Sequence, residues 1–156
     1  MKKSIMNFGM IASLLVAVVL FNGCKKKGCT DADASNYDSG AKSDDGSCDY
    51  KAGVSIWVSQ ATSTTWVGDG ASTVKFYVNG SLIGSAATSV YYASSPGCSS
   101  GSAHQMYDLG NNKTKPFTYS YVLDYPTGAS AGGDTTVTVA GSGTLSASNS
   151  CLSIQL

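Results

Sequence analysis

The side chains with the widest chemical repertoire in this sequence are five cysteines, Cys24, Cys29, Cys48, Cys98 and Cys151, a single histidine, His104, and ten aspartates with no glutamate beside them. Thiols close disulfides, hold soft metals or act as nucleophiles, and the compartment decides among these. Zinc would need a Cys-His ligand set, which one histidine does not supply. Gly97-Cys98-Ser99-Ser100-Gly101 satisfies G-x-S-x-G formally, with His104 close behind. A nucleophile elbow needs a strand before it, a helix after it and a large α/β domain around it. Here the motif follows Pro96 in a Ser/Gly loop, so a small serine hydrolase using Ser99 stands as the alternative function. Carboxylate pairs for glycoside hydrolysis could come only from Asp69, Asp108, Asp124 and Asp134, all near turns that favour Asp for its local hydrogen bonding.

An odd number of cysteines leaves one thiol to explain. Residues 1–23 read as a signal peptide, with Lys2 and Lys3 ahead of the apolar run Phe8 to Phe21, which is short for a membrane span. The run ends at Gly23-Cys24, and Leu20 to Cys24 resembles a bacterial lipobox. That resemblance implies a diacylglyceryl group on the Cys24 thiol, cleavage just before it and acylation of the new amine. More than one acyl chain gives stable anchoring where a single chain does not. Residues 24–27 would then be lipid anchor and tether, with Lys25 to Lys27 a solvated run. Lys25 does not resemble the Asp that retains lipoproteins at the inner membrane, which implies the outer membrane, on its periplasmic or its surface face.

With Cys24 acylated, four cysteines remain and allow three connectivities. Cys29 and Cys48 bracket one Asp-rich segment while Cys98 and Cys151 both fall later, an arrangement that favours Cys29–Cys48 and Cys98–Cys151. In the chain-entropy description the short loop contributes ~3 kcal/mol and the longer one ~4. Oxidising conditions outside the cytoplasm suit both bonds.

The bracketed segment, residues 28–51, carries Asp31, Asp33, Asp38, Asp44, Asp45 and Asp49 and almost no aliphatic residue. It cannot fold by burying apolar surface and must be stapled, bound to an ion or disordered. Asp31, Asp33, Asp44 and Asp45 offer the hard oxygen ligands that calcium takes, with Gly46 permitting a tight bend, although the EF-hand order is missing. The run Cys29-Thr30-Asp31, Ala34, Asn36-Tyr37, Ala41 and Asp44-Asp45-Gly46-Ser47-Cys48 resembles a short cysteine-bracketed repeat of exported proteins in Gram-negative bacteria, loosely akin to thrombospondin type 3 repeats. The resemblance implies a surface module or spacer, with calcium as an expected cofactor.

From residue 52 to 156 the period is that of strands. Val54, Ile56 and Val58 alternate with Ser55, Trp57 and Ser59, and Val74, Phe76 and Val78 run into Asn79-Gly80, a strong hairpin signal. Ser81 to Gly84, Ser89 to Ala93, Gln105 to Leu109, Pro116 to Tyr125, Thr135 to Gly141 and Cys151 to Leu156 complete the predicted strands, and no window has a helical period. The reading is all-β, an antiparallel β-sandwich preceded by the stapled module. The later half also resembles small lipoprotein domains of the same bacteria, most of them without assigned activity.

Charge narrows the function. The chain has ten Lys and no Arg, and from residue 28 onward five Lys face all ten Asp, so no basic patch exists for nucleic acid. A non-catalytic, membrane-anchored surface binding, adhesion or assembly module is the expected function, with a glycan or surface protein as partner. Trp57, Trp66, Tyr91 and Tyr92 are the expected contact residues, since an exposed ring can stack on a sugar. Asp134-Thr135-Thr136 resembles an O-glycosylation acceptor of such bacteria.

Overall fold

Asn79 and Gly80 adopt φ of 50° and 76°, the left-handed pair of a type I′ hairpin, and pair Val78 with Ser81 across the turn. The computed structural model in which they sit describes residues 25–98, 100–126, 137–149 and 151–156, with the backbone alone of 137–139. The signal segment, Cys24, Ser99 and Asp134-Thr135-Thr136 lie outside the described residues.

Among the described residues seven strands and one helix follow the module: β1 Tyr50–Trp57, α1 Gln60–Gly68, β2 Thr73–Val78, β3 Ser81–Ala87, β4 Ala103–Gly110, β5 Thr114–Asp124, β6 Val137–Ser146 and β7 Cys151–Gln155. They form a three-stranded sheet ordered β4-β1-β7 and a four-stranded sheet ordered β3-β2-β5-β6. Ala52, Val54 and Ile56 of the first sheet share one core with Val74, Phe76, Val78, Phe117, Leu123 and Leu145 of the second. The period-two residues of β1, β2 and β5 thus build the all-β sandwich that their alternation predicts.

The sheet is not antiparallel throughout. β7 runs parallel to β1, with Gly53 opposite Cys151 and Trp57 opposite Gln155. β1 is also buried on both faces, because residues 95–98 and 100–101 lie over its outer side. Ser55 is fully buried there and donates to the Ser100 carbonyl at 3.1 Å, while the Cys98–Cys151 disulfide passes over Gly53. A Cβ on Gly53 would lie 2.8 Å from Cys98 Sγ and 2.9 Å from Met106 Sδ, so only glycine leaves room for the crosslink.

Three further predictions need correction. Gln60–Gly68 is helical although the sequence shows no helical period. Ser63 and Trp66 are its buried residues, so two contacts three positions apart leave no stripe to read. Ser59 caps the start by accepting from the Thr62 amide. At the other end Gly70, at φ 85°, donates to Val67 and Ala71 donates to Trp66, a Schellman ending. Ser89 to Ala93 is a turn and loop, the strand having run on through Ala87. β6 extends across the Gly-Ser run to Ser146, where Gly141 and Gly143 stand opposite Tyr119 and Phe117. A Cβ on Gly143 would come 2.7 Å from the Phe117 ring, and one on Gly141 would meet the Tyr119 ring, so these glycines are pockets for aromatic rings.

Candidate functional site

Charge concentrates where the acidic module meets the sandwich. Cys29 and Cys48 are joined, as their bracketing of the segment suggests, and both are buried. Around them the Asp38 amide donates to the Cys29 carbonyl at 2.9 Å, the Ser35 amide to the Asp49 carbonyl at 2.8 Å and the Asn36 side chain to the Ser47 carbonyl at 2.6 Å. No helix or strand forms between Gly28 and Asp49, and polar bonds replace a core.

Tyr50, the first residue of β1, follows directly and donates its hydroxyl to Asp31 Oδ2 at 2.8 Å. Lys113, between β4 and β5, reaches back to Asp31 at 2.5 Å and Asp33 at 3.5 Å, and its ammonium lies 5.8 Å from the Tyr50 ring centroid. The Lys113 ammonium, then the Tyr50 hydroxyl and the Asp33 amide, lower the pKa of Asp31 to about 2. Asp31 in turn raises Lys113 and Tyr50. Sequence reading missed Lys113 because it lies 80 positions from Asp33 in an ordinary Gly-Asn-Asn-Lys turn.

The expected calcium ligands are split by this arrangement. Asp31 and Asp33 converge on Lys113, whereas Asp44 Oδ1 accepts the Gly46 amide and Asp45 Oδ1 the Ser47 amide, each closing a local turn. Ser47 lowers Asp45, with Lys27 a smaller influence. Among the described residues no group of three or more His, Cys, Asp or Glu side chains is placed to hold a metal ion.

The lysine run also departs from expectation. Lys26 pairs with Asp38 at 2.7 Å and lowers its pKa, its carbonyl accepts the Lys42 amide at 2.8 Å, and Lys27 bridges Ser43. Residues 26 and 27 therefore belong to the module and not to a solvated tether.

Of the expected contact aromatics, both tryptophans are inside. Trp57 is 7% exposed and donates its Nε1 to Ser153 Oγ at 2.8 Å, a hydroxyl that also pairs with Ser95 Oγ. Trp66 is 6% exposed and stacks at 5.1 Å on Tyr121. Neither can offer a ring to a sugar. Tyr91 is 47% exposed and Tyr92 is half-buried, its amide held by the Val58 carbonyl. The four-stranded sheet has an open depression of about 530 Å³, where Thr118, Ser142 and Thr144 stand with Pro116 and Phe117 beside Asn79.

Several of the residues weighed for chemistry have structural partners. Cys98 is bonded to Cys151, and Ser100 Oγ donates to the Pro96 carbonyl at 3.0 Å. His104 is exposed on β4. Asp69 ends α1, Asp108 accepts the Gly110 amide and Asp124 pairs with Lys75 at 2.7 Å.

Fold and junction define a class: a two-sheet all-β unit closed by one disulfide, with an acidic polar module, stapled by a second, joined to it without a linker. Compared with known proteins, the chain matches no family model, no curated protein and no solved structure.

Proposed function

We propose that this chain is a non-catalytic lipoprotein, anchored in the outer membrane through acyl groups on Cys24, that presents its sandwich as a surface binding, adhesion or assembly module. One observation carries the anchor. Cys29, Cys48, Cys98 and Cys151 are all consumed in disulfides, so Cys24, at the end of an apolar run, is the one cysteine without a partner in the chain. Acylation gives that thiol a use. For the binding role, the open depression near Asn79, where Pro116 and Phe117 lie among the Thr118, Ser142 and Thr144 hydroxyls, and the exposed Tyr91 are the surfaces best suited to a glycan or a surface protein.

Labelled fatty acid fed to cells making the protein is expected to enter the wild type and not Cys24→Ser, with detergent-phase partition following the label. Equal labelling of the two would contradict the anchor.

A further inference from the structure

The joint between an anchor and the domain it carries decides whether the domain swings or stands. Here the fold begins almost at once after Cys24. The Lys26 carbonyl accepts the Lys42 amide at 2.8 Å, the Gly28 amide donates to the Ser43 carbonyl at 3.2 Å, and Lys26 Nζ pairs with Asp38 at 2.7 Å. Cys29 is then fixed by its disulfide. At the other end the Asp49 amide donates to Asn36 Oδ1 at 2.9 Å and its carbonyl accepts from Ser35, after which Tyr50 is already strand. Lys113 ties the module sideways to the sandwich through Asp31 and Asp33. No free segment separates residue 26 from β1.

Two residues of extended chain span at most ~7 Å. The headgroup layer on one side of a bilayer is of similar thickness, ~5 to 8 Å. A module whose second residue after the acylated cysteine is already folded can therefore stand no farther out than about the outer edge of that layer. We infer that the acidic module is a rigid foot seated on phospholipid headgroups, holding the sandwich in a fixed pose over the membrane, an inference that rests on acylation of Cys24. The chemistry at the joint fits. Lys25, Lys27 and Lys42 are exposed along the two segments that meet there, with Asp44 and Asp45 exposed just beyond Ser43, so the groups next to the anchor in the chain are ammoniums, although the module as a whole is acidic. Trp57 stands at the opposite end of β1 from Tyr50, about 23 Å away at ~3.3 Å per residue, and so reports the height of the sandwich.

The test uses the mature protein in phosphatidylcholine vesicles containing a dansyl-headgroup lipid, with intact mass recorded on the same sample. Energy transfer from the native tryptophans is compared with that of a variant carrying a long flexible Gly-Ser linker between Cys24 and Lys25. A foot predicts a severalfold fall in transfer and faster decay of tryptophan anisotropy in the linker variant. An acylated protein whose transfer and anisotropy are unchanged by the linker overturns the foot while leaving the anchor intact. A mass without acyl groups overturns the anchor instead, and the same linker comparison, on chains coupled through Cys24 to a thiol-reactive lipid, then decides the foot alone.

Discussion

Between Gly28 and Asp49 the buried residues are Cys29, Ala34 and Cys48, whereas β1 alone buries Tyr50, Ala52, Val54, Ile56 and Trp57. The first region has six aspartates and holds its shape with a crosslink, turn-closing carboxylates and backbone bonds between segments far apart in sequence. The second folds because alternating side chains leave water for a common core. The difference teaches where each region is vulnerable. Loss of apolar contact should collapse the sandwich, and loss of the crosslink or of charge pairing should loosen the module.

The largest expected effect lies in the sandwich. Trp66→Ala removes the one large side chain by which α1 holds the core, along with its stack on Tyr121. A loss of about 3 to 5 kcal/mol is expected in urea unfolding. A change close to zero would mean that Trp66 is a surface ring after all and would reopen it as a contact residue.

A smaller and more local effect is expected at the junction. Asp31 is an exposed-side carboxylate lowered from 3.8 to about 2 by Lys113 first. Because the folded value is depressed, the contribution is fully present above the ordinary carboxylate value and is lost as the pH falls through about 2. Carboxyl NMR titration of Lys113→Ala should move the Asp31 midpoint back up towards its ordinary value, with Tyr50 and the Asp33 amide retaining part of the shift. An unchanged midpoint would show that Lys113 does not clamp the module.

These contrasts also explain what the sequence made legible. Strands β1, β2 and β5 are readable because their alternation is the same physics that buries Val54, Val74 and Leu123. The disulfides are readable because each pair falls within one compositional region. α1 escaped because its contacts with the core are few, although its punctuation, Ser59 before it and Asp69-Gly70 after it, was visible. The Gly-Ser half of β6 escaped because its glycines are explained only by the rings of Phe117 and Tyr119 opposite them. Trp57 misled because alternation put it on the outer face, and nothing local announces that residues 95–98 and 100–101 cover that face. Lys113 had no local signal at all, since its partners are brought to it by the fold.

The account stands on the claim that the module is held by its staple and the sandwich by its core. Amide hydrogen exchange on a Cys29→Ala/Cys48→Ala variant, which keeps Cys98–Cys151, tests this most directly. The amides of Asp38, Lys42 and Asp49, bonded within the module, are predicted to lose their protection, while those of β1 and β2 keep theirs. Retained protection in the module, or its loss in both regions together, would contradict the account.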